Sequence, residues 1–369
     1  MHVELPNSML RGIVDAASSI PRRGDSRWIL RNLLIVASPA GLEIVAHDTL
    51  VGAWLMVPVG DDVRVEVPGR TAVNAFTLKD VVKASPKDIT RMRLDKNHLR
   101  VETGGANFKL PTEDPNDFPP IPRFDPTKPS LRINAGLFGG MINRVAHCAH
   151  TEQSHFLMHG VNIDYADGCL TLVATNAQRL GVSSMNVGSK EASSGNCVVP
   201  AESFRRLSFF FDGEEDIDLQ FLPTGLHAHS KTGEVQIRAL SGKFPIYARG
   251  IPKNPLHLSI GRQRFIDALN QAVAIKQTGT AFVNMTLGER MTLEAREHGI
   301  GDVQIEVDIE WKHPEMTLCL HPLFLLEDAR SMKSDCVTLE ISSPMKPVLL
   351  REQMQNGMDC FYVYAVARR

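Results

Sequence analysis

An α+β fold in three tandem units, each with two helices packed on antiparallel sheets, is predicted by three features that recur along the 369 residues. The first is an amphipathic helix that appears three times. The second is a strand hairpin with a polar or glycine-containing turn. The third is a short strand that runs through a proline into a second helix. The units share almost no letters, so the repeat is one of pattern.

The first helix of each unit is read in "NSMLRGIVDAASSI" (Asn7–Ile20), "NAGLFGGMINRVAHCA" (Asn134–Ala149) and "GRQRFIDALNQAVAIK" (Gly261–Lys276). Leu10, Ile13, Val14 and Ala17 keep the i, i+3, i+4, i+7 spacing of one buried face. Phe138, Met141, Ile142 and Val145 repeat it, as do Phe265, Ala268, Leu269 and Ala272. Leu10, Phe138 and Phe265 are 128 and then 127 residues apart. The hairpins follow in "NLLIVASPAGLEIVAHD", "GVNIDYADGCLTLVATN" and "FVNMTLGERMTLEARE", where alternating apolar residues flank a turn. The second helices are expected around Pro68, Pro200 and Pro322, because proline loses no hydrogen bond in a first helical turn. Further strands come after each second helix, about eight strands per unit in all. Pro-rich junctions at Phe118–Ser130 and Phe244–Pro255 divide the chain into 1–126, 127–254 and 255–369.

A formal net charge of -2 gives no global attraction to nucleic acid or to an anionic membrane, so any basic surface is local. No run approaches the roughly 18–20 apolar residues that span a bilayer. The opening "MHVELPNSML" lacks the pattern of a signal peptide. Six scattered cysteines without a CxxC pair read as mostly buried, reduced thiols rather than a zinc or redox site. A cytoplasmic protein is expected.

Catalytic chemistry is hard to find. There is no phosphate-binding GxxxxGK[ST] loop, no GxGxxG after a strand, no HExxH and no GxSxG elbow. "HCAH" (His147–His150) ends a helix, where histidine suits the partial charge, and no cysteine or carboxylate cluster completes a ligand set. "DGEEDID" (Asp212–Asp218) reads as a solvated loop, and "HDT" at His47 has no nucleophile beside it. A binding scaffold is favoured over a fused three-domain enzyme, and neither a cofactor nor a metal is expected.

At this point the chain resembles the bacterial sliding clamps, the beta subunits of DNA polymerase III. The residues that carry the resemblance are "ILRNLLI", "LVATNAQRLGV", "FPIYARGIPKNP", "SPMKPVLL" and the terminal "YVYAVARR", in that order and over the whole length. It implies three clamp domains, with a head-to-tail homodimer closing a six-domain ring. Such a ring encircles double-stranded DNA without reading its sequence and is not an enzyme. It tethers the polymerase III alpha subunit, the clamp loader and repair polymerases through linear peptide motifs.

Carried over by position, the DNA-facing candidates are Arg22 and Arg23, Arg70 at a helix start, and Arg205 with Arg206; each is equally an ordinary solvated residue. Ala201 and Glu202 stand where the family often has basic residues, so weaker DNA contact is expected of the middle unit. The peptide groove would use Met158, Thr175, Ala177, Gln178, Arg179, Leu180, Pro245, Arg249, Val363, Tyr364, Ala365, Val366 and Arg368. Leu180, Pro245 and Val363 are expected to floor it, with Arg179 packing its stem and presenting its head. The dimer contact would join Phe108 and Leu110, on an edge strand, to the segment around Ile275; first-domain core is the alternative for the first two. Departures from the family concentrate in the groove: Ala177-Gln178 replaces Gly-His, Ala365 replaces a methionine, and the tail ends in Arg-Arg. They motivate an alternative, a paralogous clamp specialised for repair polymerases or inhibitor resistance. A monomeric adaptor is a further alternative.

Overall fold

The computed structural model describes residues 1–85, 88–152, 156–188, 194–211, 213–275, 282–353 and 357–367. The same order of elements runs through it three times. The first repeat holds β1 (His2–Pro6), α1 (Asn7–Ala17), β2 (Asn32–Ser38), β3 (Gly41–His47), β4 (Val51–Pro58), β5 (Arg64–Val67), β6 (Gly69–Asn74), α2 (Ala75–Ala84), β7 (Ile89–Asp95), β8 (His98–Thr103) and β9 (Ala106–Glu113). The second holds β10 (Leu131–Asn134), α3 (Ala135–Val145), β11 (Gly160–Ala166), β12 (Cys169–Thr175), β13 (Arg179–Asn186), β14 (Gly195–Pro200), α4 (Ala201–Arg206), β15 (Asp216–Leu222), β16 (Gly225–His229) and β17 (Gly233–Arg238). The third holds β18 (Leu256–Gly261), α5 (Arg262–Ile275), β19 (Val283–Leu287), β20 (Arg290–Glu297), β21 (Gly301–Asp308), β22 (Met316–Leu320), α6 (Pro322–Ser331), β23 (Cys336–Ile341), β24 (Val348–Glu352) and β25 (Met358–Tyr364). Among the described strands only β5 lacks counterparts.

The helical faces predicted from spacing are the faces that are buried. Leu10, Val14 and Ala17 are inaccessible or nearly so, with Ile13 at the margin. Phe138, Met141, Ile142 and Val145 are fully buried, and Phe265, Leu269 and Ala272 likewise. Each of the larger side chains is worth about 1.5–3 kcal/mol of burial, which is why the pattern persists while the letters drift. Helix α1 stops at Ala17 because Ser18 and Ser19 turn their hydroxyls back to the carbonyls of Val14 and Ala16.

The second helices begin as expected at two of the three prolines. Pro322 is in the first turn of α6, and Pro200 directly precedes α4. Pro68 does not start a helix: it stands between β5 and β6, and α2 begins at Ala75. Asn74 supplies the cap there, its Oδ1 accepting from the backbone N–H of Phe76 and of Thr77. Arg70 is therefore a strand residue of β6, not one at a helix start.

By its contacts the chain forms two compact bodies. One is mainly Met1–Gly139 with Ser203–Ala239; the other is Gly140–Lys190, Ser194–Glu202 and Leu240–Arg369. The first body carries a 13-stranded antiparallel sheet in the order β10-β15-β16-β17-β4-β3-β2-β6-β9-β8-β7-β1-β5. The second carries an eight-stranded sheet, β14-β11-β12-β13-β25-β24-β23-β18, and a four-stranded sheet, β21-β20-β19-β22. Inside the first sheet β17 pairs with β4, from Gly233 opposite Leu55 to Ile237 opposite Val51. Inside the eight-stranded sheet β25 pairs with β13, from Tyr364 opposite Arg179 to Met358 opposite Met185. In both cases the last strand of one repeat seats on the third hairpin strand of the repeat before it.

Among the described residues no helix is long and apolar enough to cross a membrane.

Candidate functional site

The turn between β12 and β13 builds one wall of a groove in the second body. Asn176 Oδ1 accepts from the backbone N–H of Gln178 (3.1 Å) and of Arg179 (2.8 Å), and Thr175 Oγ1 donates to the Arg179 carbonyl (2.7 Å). These bonds force Ala177 to φ +72°, a left-handed conformation that suits glycine. The corresponding turn of the first repeat is built alike. Asp48 Oδ1 accepts from the N–H of Leu50 and of Val51, and Thr49 has φ +77°.

The second wall is the end of β25. The Ala365 N–H donates to the Gln178 carbonyl at 3.0 Å, so the two walls touch through their backbones. Between them lies a groove of about 370 Å³ lined by Met158, Thr175, Ala177, Gln178, Arg179, Leu180, Pro245, Val363 and Ala365 from the predicted set. Ile246, Tyr247, Gly250 and Pro347 complete it. Its floor is an apolar cluster of Val173, Val182, Leu349, Phe361 and Val363, against which Leu180, Phe244, Tyr247 and Ile251 pack. Tyr247 and Pro347 lie in segments that sequence reasoning had already marked, "FPIYARGIPKNP" and "SPMKPVLL", without being singled out.

Not every predicted residue faces the groove. Arg249 is exposed on the 3-10 turn Ala248–Gly250. Val366 is half-buried beyond the end of β25, and Arg368 lies outside the described residues. Tyr364 turns away, fully buried, with its hydroxyl on Asp328 Oδ2 at 2.6 Å.

Arg179 departs most from expectation. It does not present its head to the groove; the residue is 5% exposed and its guanidinium runs inward. One nitrogen meets Asp328 Oδ1 at 3.1 Å; the other donates to Glu327 Oε2 and to the His147 carbonyl, both at 2.7 Å. The Phe324 ring lies 4.5 Å beneath the guanidinium carbon. Burial works against the charge, but Asp328 and Glu327 outweigh it and hold the guanidinium more firmly protonated than usual. As the only charged side chain lining the groove among the described residues is thus neutralised from behind, these residues offer apolar surface and backbone hydrogen bonds.

Asp328 is the residue that sequence reasoning missed. It is inaccessible on α6 and gathers Arg179, Tyr364, His147 (Nε2 to Oδ1, 2.6 Å) and Cys148 (Sγ to Oδ1, 3.6 Å). Only the amphipathic pattern of α6, broken by one acid on its buried face, signals it. His147, Cys148 and Asp328 form the only trio of metal-ligand type among the described residues, their ligand atoms within 4.8 Å of one another. The chemistry is poor for a metal: burial pushes the Cys148 thiol well up, and Arg179 already occupies the carboxylate.

The arginines proposed for DNA lie in the first body. Arg22 is half-exposed, with Nε 3.5 Å from Asp48 Oδ2, and Arg23 stacks over Phe76 at 4.4 Å. Arg70 donates to Asn116, and Arg205 is exposed at the end of α4. Arg206 is half-buried: it donates to the Ser19 carbonyl at 2.9 Å and lies 4.0 Å from Asp48. Phe108 is half-buried on β9, whereas Leu110 at 6% exposure already belongs to the core of its own body. Ile275 ends α5, half-buried.

Comparison with known proteins gives this arrangement a lineage. Three family models match in tandem: the N-terminal, central and C-terminal domains of the DNA polymerase III beta subunit, at residues 5–122, 132–246 and 249–365. The chain belongs to the DNA polymerase III beta-subunit family. It is 22% identical over 352 residues to the beta sliding clamp of Pseudomonas putida, covering 94% of this chain and 93% of that protein. To the beta sliding clamp of Treponema pallidum it is 25% identical over 360 residues, 95% of each. The crystal structure of the Bacillus subtilis DNA polymerase sliding clamp superimposes with a TM-score of 0.92 at 20% identity, over 100% of this chain and 99% of that one. Three tandem clamp domains of helix and antiparallel sheet are thus its fold, and the family is a non-catalytic processivity subunit.

Proposed function

We propose that two copies of this chain close head to tail around duplex DNA and tether polymerases to it by short peptides docked in the groove. The domains are taken as 1–126, 127–254 and 255–369. The partners are the polymerase III alpha subunit, the clamp loader and repair polymerases, all in the cytoplasm where the DNA is.

One observation carries the reading: a strand-pairing rule that the single chain leaves incomplete. β17 seats on β4 and β25 seats on β13, and β4, β13 and β21 are the same strand of successive repeats. By that rule β9, the last strand of the first repeat, would seat on β21. β9 pairs with β8 along its length but with β6 only at Thr112 and Glu113, and β21 ends its sheet. Among the described residues both edges therefore offer unpaired backbone groups. A second copy supplies β9 to β21 twice, which closes the assembly and gives Phe108 an apolar neighbour.

A closed ring needs no tight grip on DNA. Arg22, Arg23, Arg70, Arg205 and, in part, Arg206 supply diffuse, salt-sensitive attraction to phosphate that permits sliding. The groove suits a different ligand, an extended peptide with large apolar side chains and no need of charge.

The test is retention on circular against linear DNA after loading. The ring should persist on the circle and run off free linear ends. Equal loss from both sinks the reading.

A further inference from the structure

We propose that Asp328 is a positioning residue for the groove, its two carboxylate oxygens fixing the spacing of the two walls. The proposal rests on the groove being the peptide site. The turn wall is Thr175–Leu180, and Arg179 within it reaches Asp328 Oδ1 at 3.1 Å. The other wall is Val363–Ala365, and Tyr364 within it reaches Oδ2 of the same carboxylate at 2.6 Å. Neighbours in an extended strand point to opposite sides. Arg179 and Tyr364 therefore anchor the walls from behind, while Gln178, Leu180, Val363 and Ala365 line the groove.

The anchor is stiff for a physical reason. Asp328 is fully buried, so its charge must stay compensated, and Arg179 does this as a charge-assisted pair. His147 and Cys148 crowd the same oxygen, and Glu327 takes the second guanidinium nitrogen. Neither wall can shift without breaking a bond to a group that has no water to replace it. A change in α6 therefore reaches both walls at once, although α6 itself contributes nothing to the groove lining.

The experiment uses the full chain and two readouts. One is amide hydrogen exchange at Ala365, whose N–H bridges the walls. The other is anisotropy of a short fluorescein-labelled peptide with two adjacent large apolar residues and no basic residue. Asp328→Asn removes the charge that compensates the buried Arg179 and turns the strong Tyr364 bond to a carboxylate into a neutral one. It should speed Ala365 exchange about tenfold and weaken the peptide about tenfold, while β19 and β20 keep their protection. Tyr364→Phe, which removes one hydroxyl, should act in the same direction, and Asp328→Asn/Tyr364→Phe should be no worse than Asp328→Asn alone. Unchanged Ala365 exchange in folded Asp328→Asn overturns the proposal. If Asp328→Asn loses protection everywhere, Tyr364→Phe decides, and wild-type exchange there overturns it equally. A wild-type protein that ignores the peptide, but whose Ala365 amide responds to Asp328→Asn, leaves the positioning role standing and removes the peptide reading.

Discussion

Thr49 and Ala177 hold left-handed backbone in equivalent turns, and neither residue is suited to it. An L-residue there costs about 1–2 kcal/mol against glycine, with a β-branched side chain at the worse end. Thr49→Gly and Ala177→Gly should each raise unfolding stability by about 1 kcal/mol in urea titrations, Thr49→Gly by the larger amount. A fall in stability would mean that unfolded-chain entropy outweighs the strain. The turn was legible in "LVATNAQRLGV" because asparagine and a polar run announce it locally. The direction of Arg179 was not, since its partner Asp328 is 149 residues away and no local rule brings an acid to it. Gly181 was equally silent: a Cβ there would sit 2.7 Å from Cys148 Sγ and 3.2 Å from the Tyr362 ring, so only glycine fits beside them.

Among the elements, the helices were the most legible, because a 3.6-residue apolar period survives when identity does not. The start of α2 was misread, since a proline between two strands looks like one before a helix, and Asn74 is the true cap. Long-range polar pairs between elements left no trace in sequence. The clearest is Arg144 of α3 with Glu352 of β24, bonded at 2.7 and 3.3 Å with both side chains buried. Burial alone would raise the Glu352 carboxyl, but Arg144 and the backbone N–H groups of Lys333 and Ser334 overcome it and hold it below its ordinary value of 4.5. A carboxylate depressed in the folded state adds stability above its unfolded value, and this is lost as pH falls through the folded one. Glu352→Gln should therefore be about 3–5 kcal/mol less stable at pH 7, because it leaves Arg144 buried without a counter-charge. It should also lose less further stability below about pH 4.5 than wild type does. Urea unfolding across that range checks both; parallel pH profiles would remove Glu352 from the acid response.

For the whole molecule, the repeat predicted three domains before any single motif did, and the pairing rule between repeats predicts the assembly. Phe108→Asp would place an unpaired charge on the β9 edge, at a cost of several kcal/mol if that edge is covered. Dissociation of the proposed dimer should rise at least about a hundredfold in sedimentation experiments, with loss of the proposed retention on circular DNA and no change in the proposed peptide binding. Dimers as tight as wild type would place the contact elsewhere. A last consequence concerns how the chain sorts its own repeats. At the first seam the hairpin turn is acidic, Asp48, and the helix brings Arg206. At the second seam the turn is basic, Arg179, and the helix brings Asp328. The two charges are not at matching places, since Asp48 corresponds to Asn176 and Arg179 opens β13, so each seam has an ion pair of its own. Look-alike repeats invite misassembly during folding. A strand docked at the wrong seam would leave its repeat's helix without its partner, Arg206 without Asp48 or Asp328 without Arg179.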